Sequence, residues 1–201
     1  MKKSMLALSI LFYTLSTAAQ TDYMAETKAW QSKMNAEFAD SEESPLDEKD
    51  RAHFKKLKFY PISEKFVVTA SFRLTPDAKP FKMPTSTDRL PEYVKYGIAT
   101  FTIGTDTLEL SIYQNVELSK QEEYKDYLFA PYKDRTNGNG SYGGGRYMDV
   151  EKPEGETIVL NFNKSYNPYC AYSDRYSCPI PPRENFLNTK IKAGVKAWKK
   201  H

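Results

Sequence analysis

From residue 66 onward, apolar and polar positions alternate along the chain. Phe66, Val68, Ala70 and Phe72 take turns with Val67, Thr69, Ser71 and Arg73, the period of two that gives a strand one buried face. Residues 96–103 and 107–113 repeat the pattern and meet at Gly104-Thr105-Asp106, which predicts a hairpin. Residues 127–132, 146–150, 157–162 and 187–193 are further strand candidates. In the last of these, Leu187, Thr189 and Ile191 fall on one side and Lys190 and Lys192 on the other, although residues 187–200 also read as a helix interrupted at Gly194. Seven or eight such strands predict a mainly β fold, an antiparallel sandwich or a partly closed barrel.

The N-terminal part has another period. Tyr23, Thr27, Trp30, Met34 and Phe38 recur every three or four residues, which puts them on one face of a helix within 22–43, lined by Glu26, Lys33 and Glu37. That face is expected to pack on the sheet. Ser44-Pro45-Leu46-Asp47 then reads as a second helix start, with Ser44 capping, proline at the first helical position and Asp47 in the first turn; a short helix to about Lys56 follows. One or two N-terminal helices are therefore expected on the β domain.

Ahead of them, Lys2 and Lys3 precede an apolar run from Met5 to Leu15 and the small residues Ser16-Thr17-Ala18-Ala19, the layout of a secretory signal peptide cleaved after Ala19. The run is well short of the ~20 residues that span a bilayer, and no second one follows, so the mature chain is expected to lack a transmembrane segment and to be periplasmic or secreted. Residues 20–201 read as a single mainly β domain, since no linker or repeat divides them. The leader carries two lysines and no acid, so its removal lowers the net charge from +3 to +1. A surface so close to neutral attracts phosphate weakly, which argues against a nucleic-acid partner. The basic end Lys196-Ala197-Trp198-Lys199-Lys200-His201 reads as a solvated tail.

Two polar, aromatic loops break the strand pattern. The first, residues 134–147, is rich in glycine but lacks the Gly-Lys-Ser/Thr ending of a phosphate loop and the glycine spacing of a dinucleotide site; its other reading is a long hairpin turn with Asn137-Gly138 at the tip. The second, residues 161–182, holds Cys170 and Cys178. In an exported chain with two cysteines, a disulfide between them is the expectation. No metal site is expected, because His53 and His201 are the only histidines available to complete one, and no cofactor motif is present.

The blocks Pro131-Tyr132-Lys133-Asp134-Arg135-Thr136, Tyr142-Gly143-Gly144-Gly145-Arg146-Tyr147-Met148-Asp149, residues 161–172 and Cys178-Pro179-Ile180-Pro181-Pro182-Arg183-Glu184-Asn185 resemble, in order and spacing, the bacterial and archaeal domain of unknown function 1684 family. The resemblance extends over nearly the whole mature chain. It implies a family and no activity, substrate or cofactor.

Rings with clustered amides, carboxylates and guanidinium groups suit a small polar ligand such as a carbohydrate or cell-wall fragment. The expected pocket lies between the two loops, with Asp134, Tyr142, Arg146 and Tyr147 from the first and Asn163, Tyr166, Asn167 and Tyr172 from the second. An alternative pairs Asp134 and Asp149 as acid and base of a polysaccharide hydrolase; the same two carboxylates with Asn137 and Asn139 also offer oxygens to calcium, off the standard spacing. A third reading is a structural or interaction protein of the envelope. No serine-hydrolase elbow, zinc-protease helix or penicillin-binding segment occurs.

Overall fold

The computed structural model describes residues 23–198; the stretch expected to be a signal peptide and the last residues of the basic tail lie outside them. A helix, α1 (23–39), comes first, followed by the one-turn helix α2 (Glu48–Ala52). Then come β1 (Val67–Leu74), β2 (Phe81–Lys82), β3 (Glu92–Ile103), β4 (Asp106–Asn115), β5 (Tyr127–Phe129), β6 (Lys133–Asp134), β7 (Asp149–Glu151), β8 (Thr157–Asn161) and β9 (Phe186–Leu187). Six strands in the order β7-β5-β4-β3-β1-β8, all antiparallel, curl into a nearly closed barrel, and β2 pairs with β3.

Alternation decides what the barrel encloses. Ala70 and Phe72 of β1, Ala99, Phe101 and Ile103 of β3, Leu108, Leu110 and Ile112 of β4, and Ile158 and Leu160 of β8 form one buried cluster. Each fully buried aliphatic or phenyl side chain contributes roughly 1.5–3 kcal/mol. The β3–β4 hairpin pairs Ile103 with Asp106, and the positive φ that its two-residue turn requires falls on Gly104 (φ 65°). A bulge between Lys95 and Gly97 resets the parity of β3, so Tyr93 and Lys95 face outward with Tyr113 while Gly97 and Ala99 face inward with Ile112 and Leu110.

Between β4 and β5 the ladder is a single pair, Tyr113 with Phe129. The buried Asn185 side chain takes over beyond it: its carbonyl accepts from Ser111 N–H (2.9 Å), and its amide donates to Ser111 O (2.8 Å) and Pro131 O (2.7 Å).

Three expectations change. The apolar face of α1 rests chiefly on the loop and C-terminal segment, where Met34 and Phe38 meet Leu46, Leu57, Tyr172 and Val195; the sheet is reached at Thr27, whose hydroxyl accepts from Asn161 (2.8 Å). The cap of α2 is Asp47, which accepts from Asp50 N–H (2.8 Å), because Ser44 already donates to Phe38 O (2.7 Å) and so closes the end of α1. The C-terminal stretch is neither a helix nor a long strand. Its one strand is Phe186–Leu187, parallel to β6, with a single bridge further on from Val195 to Phe59, yet Leu187, Ile191 and Ala193 are buried while Lys190 and Lys192 are exposed.

Candidate functional site

The alternation survives without a ladder because Arg146 replaces the missing strand. An antiparallel bridge between Tyr132 and Arg146 closes the base of the glycine loop and brings Arg146 beside Asp134 in the interior. The guanidinium donates to Asp134 Oδ2, to Ile191 O (2.8 Å) and to Ala193 O. Asp134 Oδ1 accepts from the N–H groups of Thr136 (2.6 Å) and Ile191 (3.4 Å). Both side chains are 0 % exposed. The loop tip is tied inward as well: Asn137 Oδ1 accepts from Asp134 N–H (2.6 Å) and its amide donates to Tyr142 O (2.8 Å). Asp134 therefore shares no surface with Asp149, and the two are not assembled as an acid–base pair or around a calcium ion.

Three further candidates are engaged within the fold. Asn163 exchanges two hydrogen bonds with the backbone of Ser63, both 3.0 Å. Asn167 donates to Lys196 O (3.0 Å) and to the Tyr172 hydroxyl (3.2 Å), and the Tyr172 ring packs edge-on against Phe38 at 4.8 Å. Tyr142 stands partly exposed next to Cys170. Tyr147 and Tyr166 are different, because they line a cavity of about 500 Å³.

This cavity lies between α1, the outward face of β3, β5 and β7, and the second loop. From α1 come Trp30, Lys33, Met34 and Glu37; the strands supply Tyr93, Tyr127 and Phe129; the loop supplies Tyr166, Tyr169 and Tyr176. The β3 bulge is what turns Tyr93 to this side. On β5, inward Leu128 is flanked by Tyr127 and Phe129 facing out. Successive rings stand steeply to one another: Phe129 on Tyr147 at 4.7 Å and 76°, Tyr147 on Tyr166 at 5.8 Å and 90°. They enclose a volume from several sides.

One carboxylate enters it. Asp149 Oδ1 accepts two tyrosine hydroxyls, Tyr166 at 2.6 Å and Tyr127 at 2.8 Å. Oδ2 has no partner among the described residues. Asp149 is solvent-exposed by area, yet protein crowds its carboxyl closely enough that burial raises its pKa, against the lowering effect of the two hydroxyls. Burial likewise holds Tyr127, Tyr147 and Tyr166 far above the ordinary phenol value, so all three remain donors at neutral pH. The Tyr147 hydroxyl donates to Pro179 O.

Cys178 lines the same cavity, and the expected disulfide is absent: both cysteines are free thiols. Their sulfurs are not at bonding distance, because the turn at 169–171 aims the Cys170 N–H at Cys178 Sγ (3.2 Å), and the two side chains meet through hydrogen bonds. The bond from Cys178, with help from Ser86 and Tyr142, lowers the Cys170 thiol to about 6 against burial. The Cys178 thiol is raised, first by that same bond and then by burial.

The model of the family described as "Protein of unknown function (DUF1684)" matches residues 52–196. The chain belongs to this family. The DUF1684 span contains the barrel, Asp149 and the tyrosines that hold it, whereas the α1 wall of the cavity precedes it. A solved relative in fold is the uncharacterized protein of Haloarcula marismortui, whose solution NMR structure aligns with a TM-score of 0.71 at 29 % identity, covering 92 % of this chain and 99 % of that one. Among curated proteins nothing matches.

Proposed function

We propose that this DUF1684 protein is an exported small-ligand-binding module whose site is the cavity at Asp149. The observation that carries the reading is an unpartnered carboxylate oxygen, held in place by two hydroxyls on its twin, inside an aromatic enclosure. About 500 Å³ is within the range of small-molecule pockets, which are largely apolar with a few fixed polar groups. To a carbohydrate or cell-wall fragment, the occupant suggested by the sequence, the cavity offers aromatic walls and one carboxylate acceptor. Export to the envelope is supported by the basic, apolar and small-residue sequence of the leader. Cell fractionation with the mass of the purified N terminus tests that half of the proposal: a mature chain starting at Gln20 outside the cytoplasm is expected.

The site is tested by thermal shift of the mature protein against sugars, cell-wall fragments, nucleotides and small amines. A ligand at 100 times its Kd adds about 2.7 kcal/mol to stability. The expected result is a shift with one class that vanishes in Asp149→Asn and persists in Lys65→Ala, outside the cavity. No shift with any class in a folded protein would remove the small-ligand reading.

A further inference from the structure

Resting on the proposed cavity site, we infer that its occupant is an organic ammonium ion, with the cationic nitrogen against Asp149 Oδ2 and its alkyl substituents among the surrounding tyrosine rings. Three observations converge on this class.

The first is the inventory of polar capacity. Around Asp149 the donor hydrogens are already committed: Tyr127 and Tyr166 give theirs to Oδ1, and Tyr147 gives its to Pro179 O. Beside these three hydroxyls acceptor capacity is what remains, chiefly Oδ2, and the other donors of the lining are the phenols of Tyr93, Tyr169 and Tyr176. A ligand rich in hydroxyls needs donors and acceptors together, whereas an ammonium ion needs only acceptors and negative charge.

The second is ring geometry. Phe129 and Tyr147 stand at 76° and Tyr147 and Tyr166 at 90°, so neighbouring rings face in different directions and offer no shared flat platform to a pyranose face. Aromatic faces carry negative quadrupole potential, and an alkylated ammonium desolvated among several of them gains from each.

The third is charge. The charged side chains of the lining are Asp149 and Glu37 against Lys33, and Lys33 is 78 % exposed and pairs with Glu37 at 3.7 Å one turn along α1. With Lys33 and Glu37 offsetting each other, the lining keeps the Asp149 carboxylate as its unbalanced charge. The volume leaves room for a further body beyond the ammonium head.

The experiment is calorimetric titration of the mature wild-type protein, at constant ionic strength, with choline and its neutral isostere 3,3-dimethylbutan-1-ol, with butylammonium and butanol, and with a panel of pyranoses. Saturable binding of at least one ammonium, about ten-fold or more tighter than its isostere, is expected. In Asp149→Asn, verified as folded by circular dichroism, that preference should disappear. Equal binding of cation and isostere would overturn the inference, and this comparison needs no variant. Pyranose binding that is lost in Asp149→Asn would also overturn it while leaving the cavity reading intact. Binding by none of the three classes would remove the ammonium inference, and the broader panel then decides the cavity itself.

Discussion

Arg146 and Asp134 hold each other where neither meets water, and a buried pair of this kind is felt mainly when it is broken. Arg146→Ala would leave Asp134 Oδ2 and two carbonyls without their donor and the carboxylate without its counter-charge, so a loss of about 3–5 kcal/mol is expected in urea unfolding, enough to threaten folding altogether. Arg146→Met with Asp134→Leu should recover part of that loss, since no charge is then stranded. Motif reading assigned these residues to a ligand surface because clustered Asp, Arg and Asn look alike whether they face a ligand or a backbone; only the carbonyls of Ile191 and Ala193, some 45 residues away in sequence, distinguish the cases. Cys170 makes a separate residue-scale test. With its thiol lowered to about 6 by the neighbouring Cys178, alkylation of the reduced protein by iodoacetamide should rise with pH through a midpoint near 6 and label Cys170 ahead of Cys178. A midpoint at the ordinary thiol value would show that the two side chains do not interact in solution.

At the scale of elements, period-two alternation was a good guide because one barrel face is buried and the other is wet. It located β1, β3, β4 and β8 to within a few residues. It was misleading beyond Leu187, at residues 188–193, where the same alternation is enforced by a guanidinium and not by a neighbouring strand. The cavity wall left a signal that alternation obscures: Tyr127-Leu128-Phe129-Ala130 is an unbroken apolar run, as expected of a strand covered on both faces, here by the core and by the cavity. Residues such as Trp30 and Tyr93 carry no local mark of a site, because the α1 packing and the β3 bulge that bring them there are set by contacts distant in sequence. The C-terminal segment depends on its connections, and Gly194 is one of them. Its φ is +73°, and a Cβ there would press into the Ser165 carbonyl, which already accepts from Val195 N–H at 2.8 Å. Gly194→Ala should therefore cost roughly 1–3 kcal/mol. Gly155→Ala, where a Cβ meets nothing within 4 Å, should be neutral or stabilise by about 0.4–1 kcal/mol. Paired chemical denaturation of the two variants checks the contrast, and equal effects would mean that the C-terminal segment does not sit as described.

For the whole molecule, the carboxylate in the cavity links stability to ligand binding. Its neighbours are Tyr127 on β5, Tyr147 and Tyr166 from the loops, Tyr93 on β3, Cys178, the Lys33–Glu37 pair on α1 and, on its other side, Glu151, Glu154 and the Lys164–Glu26 pair; both lysines are paired with a glutamate. Burial raises the Asp149 pKa on folding, so over the window between the unfolded and folded values the folded protein binds more protons than the unfolded chain. The contribution of Asp149 to stability must then fall as pH rises from about 4, the unfolded carboxylate value, and level off above the raised folded value. An asparagine can still accept both tyrosine hydroxyls on its carbonyl oxygen and has no charge to desolvate. Asp149→Asn should accordingly match the wild type in stability near pH 3 and exceed it by a growing margin toward pH 7, while losing affinity for a cationic ligand. Bound ammonium would reverse the trend in the wild type by favouring the ionised carboxylate, so its affinity should weaken on acidification at a pH above the ordinary carboxylate range. Urea denaturation of both proteins across pH 3–8 separates the possibilities. A variant less stable than the wild type at pH 7 by as much as at pH 3 would mean that Asp149 is a structural acceptor; a margin that opens with pH would mark a charge maintained at a cost to the fold, as expected of a group that serves binding.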